Sequence, residues 1–186
     1  MKKIFILFAA SMIFATTSFA QEKGAQRFEI GGGINAYGIL GACGGPVRYF
    51  GPGAYFEYRY GIADHFDIGG QIHYKYGKGE SEFFGDGSPV YGLVYDQVGA
   101  KAVADYNVCP SRSVSPYIGV GGGLGTMIES RSDNTEDTSI YGILAPRIGI
   151  QVWHFRIALE LDFAFNGQYG FLSPETANAL NLSFTF

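Results

Sequence analysis

The sequence predicts an all-β chain folded as an eight-stranded antiparallel up-and-down transmembrane β-barrel. Three observations predict it. Eight runs of alternating apolar and polar residues fill the chain behind an export-type N-terminus. Their apolar positions are almost free of charge. The connections between them alternate short and long. A strand with one apolar and one polar face, repeated an even number of times, suits a sheet closed on itself in lipid, where no water can satisfy an open edge.

Residues 1–20 are read as a secretory signal. Lys2 and Lys3 form a positive start, Ile4 to Ala15 an apolar stretch too short to span a bilayer, and Ser18-Phe19-Ala20 a small-residue cleavage site before Gln21. Residues 21–186 then form one barrel domain. Setting Lys2 and Lys3 aside takes the net charge from −4 to −6, which argues against a nucleic-acid partner. Gly, Asn, Tyr or a charge interrupts every later apolar run, so no spanning helix is expected. The 16% aromatic content and 28 glycines suit a membrane barrel better than a soluble domain. A secreted soluble β-sandwich is the competing architecture.

The first strand, Arg27–Tyr37, sets Phe28, Ile30, Ile34 and Ala36 against Glu29 and Asn35. The second, about Ala54–Gly61, puts Phe56, Tyr58 and Tyr60 outward with Glu57 and Arg59 inward. The third, Phe66–Tyr76, alternates most clearly: Phe66, Ile68, Ile72 and Tyr74 oppose Asp67, Gln71, His73 and Lys75. The fourth, about Leu93–Tyr106, sets Val98, Ala100, Ala102 and Ala104 against Gln97, Lys101 and Asp105. Asp96 falls on its apolar parity, so it is expected above the lipid band or at a bulge.

The fifth strand, Pro116–Thr126, sends Ile118, Val120 and Leu124 outward and turns Tyr117, Gly119, Gly121 and Gly123 inward. The sixth, about Ile140–Trp153, has Leu144, Ile148, Ile150 and Val152 out and Arg147 and Gln151 in. Pro146 cannot donate to a ladder, which suggests a bulge there. The seventh, Phe155–Asn166, faces Ile157, Leu159, Leu161 and Phe163 outward and Arg156, Glu160, Asp162 and Asn166 inward. The eighth, Ala179–Phe186, ends on Leu182, Phe184 and Phe186 outward.

Short turns fall around Asp64, Pro110 and His154. Long polar connections span Gly38–Gly53, Gly77–Tyr91, Met127–Ser139 and Gly167–Asn178. Short periplasmic turns and long outer loops would place both termini in the periplasm. Aromatic girdles are expected at Phe28, Phe66, Tyr106, Trp153, Phe155 and Phe186 on one rim, and at Tyr74, Tyr76, Tyr95 and Phe165 on the other. Cys43 and Cys109 would then sit at opposite ends, too far apart for a disulfide.

Pro116-Tyr117-Ile118-Gly119-Val120-Gly121-Gly122-Gly123 resembles the P-Y-x-G-x-G-x-G strand of small bacterial outer-membrane β-barrel proteins, the OmpA/OmpX-like eight-stranded barrels. Tyr58-Arg59-Tyr60-Gly61-Ile62-Ala63-Asp64 is similar to their first periplasmic turn, and the likeness covers essentially all of Gln21–Phe186. It implies an outer-membrane location among lipids. It also implies that Phe186 is the C-terminal signal presented to the barrel assembly machinery. It implies no activity, because such barrels diversify in their loops.

The interior of an eight-stranded barrel is just wide enough for side chains. The inward acids Glu29, Glu57, Asp67, Asp105, Glu160 and Asp162 nearly balance Arg59, Lys75, Lys101, Arg147 and Arg156, with His73 beside them. This favours internal ion pairing over a conducting water column. Arg59 is expected to reach Asp67, Arg147 to lie between Glu160 and Asp162, and His73 to pair with Lys75.

An enzyme needs a nucleophile beside an oriented base. His65 and His154 fall in turns, and His154 is followed by Phe155 and Arg156 rather than by a serine two residues on. No catalysis, cofactor or metal is expected. The acids Glu129, Asp133, Glu136 and Asp137 read as a solvated loop. Gly31-x-Gly33-x-x-Ala36 lies within a strand, not at a strand–helix junction, so it is no dinucleotide site. The better candidates for contact are Arg48, Tyr49 and Phe50 in the first loop and Phe83 and Phe84 in the second. The predicted role is structural or adhesive, through docking of an extracellular partner. A narrow pore and a lipid-modifying enzyme are the alternatives.

Overall fold

The computed structural model of the protein describes residues 23–39, 47–81, 91–109, 113–131, 136–165 and 175–186. Eight strands follow one another: β1 (Gln26–Ile39), β2 (Val47–Ala63), β3 (Phe66–Ser81), β4 (Tyr91–Asn107), β5 (Val114–Arg131), β6 (Glu136–Val152), β7 (Phe155–Phe165) and β8 (Glu175–Thr185). Each pairs antiparallel with its sequence neighbour, and β1 pairs with β8 through Glu29↔Thr185 to Ile39↔Glu175, closing the barrel. Closure leaves no edge strand with unpaired backbone groups. At the seam the Phe186 N–H donates to the Phe28 carbonyl at 2.8 Å, just beyond the last residue of β8.

The period-2 alternation holds around the ring. Among the described residues, twelve charged side chains and five amides turn inward and are buried. Every strand contributes exposed apolar residues to the outside, among them Ile30, Phe56, Ile72, Val98, Leu124, Ile148, Leu159 and Leu182. An apolar surface that runs right around a closed sheet has no place in water. It is the surface of a barrel that sits in a bilayer.

Several strands outrun the sequence reading at the long-connection end. β5 has 18 residues, and β2, β4 and β6 have 17 each, against the roughly 9–11 that cross a bilayer. The hairpins therefore continue beyond the lipid band as paired strands. Arg48, Tyr49 and Phe50 lie within β2, opposite Gly38, Tyr37 and Ala36 of β1, and not in a loop. The ends went unread because a strand wetted on both faces loses the alternation that marks it. Phe83, Phe84, Cys43, Asp133, Asn166 and the segment 1–20 lie outside the described residues, whereas Cys109 carries a free thiol after β4.

The bulge expected at Pro146 is absent, and of the two placements expected for Asp96 the bulge is not the one found. Pro146 pairs with Val120 of β5 in unbroken register, and the β6–β7 pairing keeps one register from Leu144↔Phe163 to Arg147↔Glu160, omitting Ala145 and Pro146. Proline thus interrupts one ladder without shifting it. Asp96 also sits in regular register, opposite Tyr76 and Ile128, and the Tyr74 hydroxyl donates to its carboxylate. The register does shift between Gly61 and Ala63, where β2 turns into β3.

The turn-end rim is aromatic. Phe28 packs on Phe56 and Tyr58 with centroids 6.0 and 5.2 Å apart, and Phe184 packs on Phe186 at 4.9 Å. Two turns repeat one device. His65 Nδ1 lies 2.7 Å from the Asn107 carbonyl, and its ring stacks on Tyr106, which also meets Phe66 edge-on. His154 Nδ1 lies 3.0 Å from the Thr185 carbonyl, and its ring stacks on Phe184, which meets Phe155 edge-on. Tyr95, expected in the opposite girdle, instead points into the barrel and is buried, because it shares the parity of Gln97.

Trp153, the one tryptophan, holds φ at 55° in the β6–β7 turn and is 62% exposed. A left-handed backbone at a bulky residue carries strain of about 1–3 kcal/mol. The indole is exposed at the turn-end rim, where a headgroup-level aromatic girdle is expected. In reconstituted vesicles, brominated lipids labelled near the headgroup should quench its emission more than lipids labelled at the chain ends. The opposite order would place this rim near the bilayer centre.

Candidate functional site: the charged lumen

Six acids and six bases are buried in the described lumen, Arg27 being the base that completes the balance. They divide into two clusters and a pair. The larger cluster holds Glu29, Glu57, Asp105, Arg59, Arg147 and Arg156. Asp105 accepts from Arg147 Nε at 2.7 Å, from Arg156 Nη2 at 3.0 Å and from Arg59. Arg147 grips Glu57 through Nη1 and Nη2 at 2.9 and 3.1 Å, and Arg59 reaches the same carboxylate at 2.5 Å. Glu29 receives Arg156 at 3.2 Å, the Tyr55 hydroxyl at 2.8 Å and the Ser183 hydroxyl at 2.5 Å. The Arg156 guanidinium lies 3.6 Å from the Tyr117 ring centroid, a cation–π contact.

The second cluster joins Lys101 to Glu160 at 2.5 Å and to Asp162 at 3.3 Å, with Lys75 also on Asp162. Near the turn end Arg27 meets Asp67 at 3.4 Å, and Asn107 donates to Asp67 at 3.0 Å. Each group is neutral as a unit, which offsets the desolvation that unpaired buried charges would suffer. Toward the hairpin end the lumen turns apolar. Tyr141, Ile143 and Ala145 of β6 are buried together, with Met127 and Ala164 packed against them, and Gln97 donates to the Tyr141 hydroxyl.

Every inward charge singled out in the sequence is therefore buried here, but the pairings differ. Arg59 does not reach Asp67; it binds Asp105, Glu57 and Glu29. Arg147 stands opposite Glu160 in register yet sends its guanidinium to Glu57 and Asp105. His73 forms no pair with Lys75, which bonds Asp162 instead. Long side chains cross the narrow lumen, so neighbours along the sheet are not their partners. Arg27 and Tyr55 were missed, although their inward parity was there to read. The apolar layer was missed because apolar residues stand on both parities from Ile140 to Ala145.

No family model and no curated protein matches the chain. Among solved structures it is similar to Ail, the attachment invasion locus protein of Yersinia pestis, at TM-score 0.51 and 16% identity over 88% of this chain and 99% of that one. Neisserial surface protein A gives TM-score 0.53 and 14% identity over 85% and 95% of the two chains. OprG of Pseudomonas aeruginosa gives 0.50 and 15% over 90% and 99%. The fold is that of the small eight-stranded outer-membrane barrels. A barrel of this kind, apolar outside and ionic inside, is an integral outer-membrane protein.

Of the candidate contact residues, Arg48, Tyr49 and Phe50 stand at its hairpin end. Phe50 is 63% exposed on the outer face, opposite Lys78 of β3, whose ammonium lies 6.0 Å from the Tyr76 ring centroid. On the far side Glu129 of β5 stands opposite Asp137 of β6.

Proposed function

We propose that this protein is a non-catalytic outer-membrane barrel whose role is structural or adhesive, exercised through the strand extensions and loops at its hairpin end. One observation carries the proposal: self-neutralising ion clusters cross the lumen, with an apolar group of β6 packed beyond them. A plugged interior leaves the hairpins as the surface through which such a barrel can act. In planar bilayers the purified protein should add no discrete conductance steps; reproducible steps would replace this reading with a narrow pore.

A lipid-modifying role finds little support in the histidines. His65 and His154 each direct Nδ1 at a backbone carbonyl. Expression should leave the lipid A mass spectrum unchanged. On this reading outer-membrane lipid surrounds the barrel, Phe186 serves the barrel assembly machinery, and the docking partner is an extracellular protein or surface. One Ail structure is a complex with the heparin analogue sucrose octasulfate. The acids Glu129, Glu136 and Asp137 would repel such a polyanion, so a cationic or apolar partner suits this chain better. Replacing Phe50 with serine should weaken binding of cells bearing the barrel to a host surface while leaving the fold intact.

A further inference from the structure

His73 and Gln71 sit side by side on the inner face of β3, 5% and 4% exposed. Neither ring nitrogen of His73, nor Gln71 Oε1, has a hydrogen-bond partner among the described residues. Both side chains border a lumen cavity of about 10 Å³, shared with Asn35, Tyr55, Lys75, Glu160 and Asn181. That is about the space one water needs. Gly99 of β4 stands against the imidazole. A Cβ there would lie 2.6 Å from His73 Cε1 and 2.7 Å from Nε2, so any side chain would displace the ring that borders the cavity.

We infer that this cavity is a built site for one ordered water, held by His73 and Gln71. The chemistry of the open positions selects the ligand. Whichever ring nitrogen carries the proton, a neutral imidazole offers one donor and one acceptor, and Gln71 Oε1 adds a second acceptor. An anion leaves both acceptors unmet. A cation sits beside the Lys75 ammonium, and Glu160, the acid on the wall, is already held by Lys101. Water can donate to Gln71 Oε1 and, at the one ring nitrogen turned to the cavity, either donate or accept, so it answers two of the three atoms in either tautomer. Leaving two buried polar atoms unmet costs more than immobilising one molecule.

The site also lies between the two ion clusters. Gln71 Nε2 donates to Glu57 of the arginine cluster at 2.9 Å, while His73 neighbours Lys75 of the lysine cluster along β3. The line Glu57–Gln71–water–His73 extends the polar network of the arginine cluster along β3 as far as His73.

The test uses the full barrel refolded in phospholipid nanodiscs, with water-selective nuclear Overhauser spectra read at the His73 ring protons. Native protein should show cross-peaks to water with the sign of a molecule held for nanoseconds or longer. Gly99→Ala should abolish them; if that variant does not fold, Gln71→Leu supplies the comparison through a weakened peak. Assigned His73 resonances without a cross-peak would overturn the inference. So would an undiminished peak in the folded variant. A shift of the ring nitrogen resonances on exchanging chloride for sulfate would also overturn it, by revealing an anion.

Discussion

Replacing Asp105 with alanine should cost the barrel about 3–5 kcal/mol, the range for stripping one partner from a buried ion pair. Asp105 is the hub on which Arg59, Arg147 and Arg156 converge. Its loss leaves three buried guanidiniums facing two carboxylates, Glu29 and Glu57, and the cluster gains a net positive charge. The excess lies in the lumen with little water to screen it. Urea unfolding of the refolded protein in micelles would read the effect as a lower midpoint at unchanged slope. Adding Arg147→Met should recover part of the loss, because Glu29 and Glu57 then face Arg59 and Arg156 alone. A shift under about 1 kcal/mol for the single variant would mean that water solvates these charges, and the plugged-lumen reading would fall with it.

The second large effect belongs to a glycine. Gly123 faces inward opposite Lys101, and a Cβ there would lie 1.9 Å from the Ala100 carbonyl oxygen and 2.7 Å from Lys101 Cα. Both are backbone atoms, so a side chain cannot swing clear; β4 and β5 must part. Lys101 rides on the displaced strand with its bonds to Glu160 and Asp162. Gly123→Ala should destabilise by about 1–3 kcal/mol despite adding a single methyl group. Gly70 faces outward with nothing within 4 Å of its Cβ position, and Gly70→Ala should stay within about 0.5 kcal/mol of the parent. Equal effects at the two glycines, measured by the same titration, would contradict the inward and outward assignment of these strands.

Much of this was legible beforehand, and the reason is geometric. Alternation has a period of two, so one confident outward residue such as Ile72 fixes the facing of its whole strand, and Asp67, Gln71, His73 and Lys75 follow inward. The same rule failed where its signal was absent. Tyr95 is an aromatic near a rim and was read as girdle, although its parity matched the inward Gln97. Arg48 to Phe50 looked like loop because strands beyond the lipid need no apolar face. Pro146 looked like a bulge because sequence shows a missing N–H but not which neighbouring strand goes without it.

By itself the sequence determined that this chain closes into a barrel with an apolar outside, and which charges turn inward, because each depends only on neighbours along one strand. The tertiary structure alone decided who meets whom: Arg147 with Glu57 and Asp105, Lys75 with Asp162, Arg156 over Tyr117. Those partners stand on strands far apart in the chain, 90 residues in the case of Arg147 and Glu57. Their meeting depends on the width of the lumen and the stagger of the closed sheet, which arise only once all eight strands have joined.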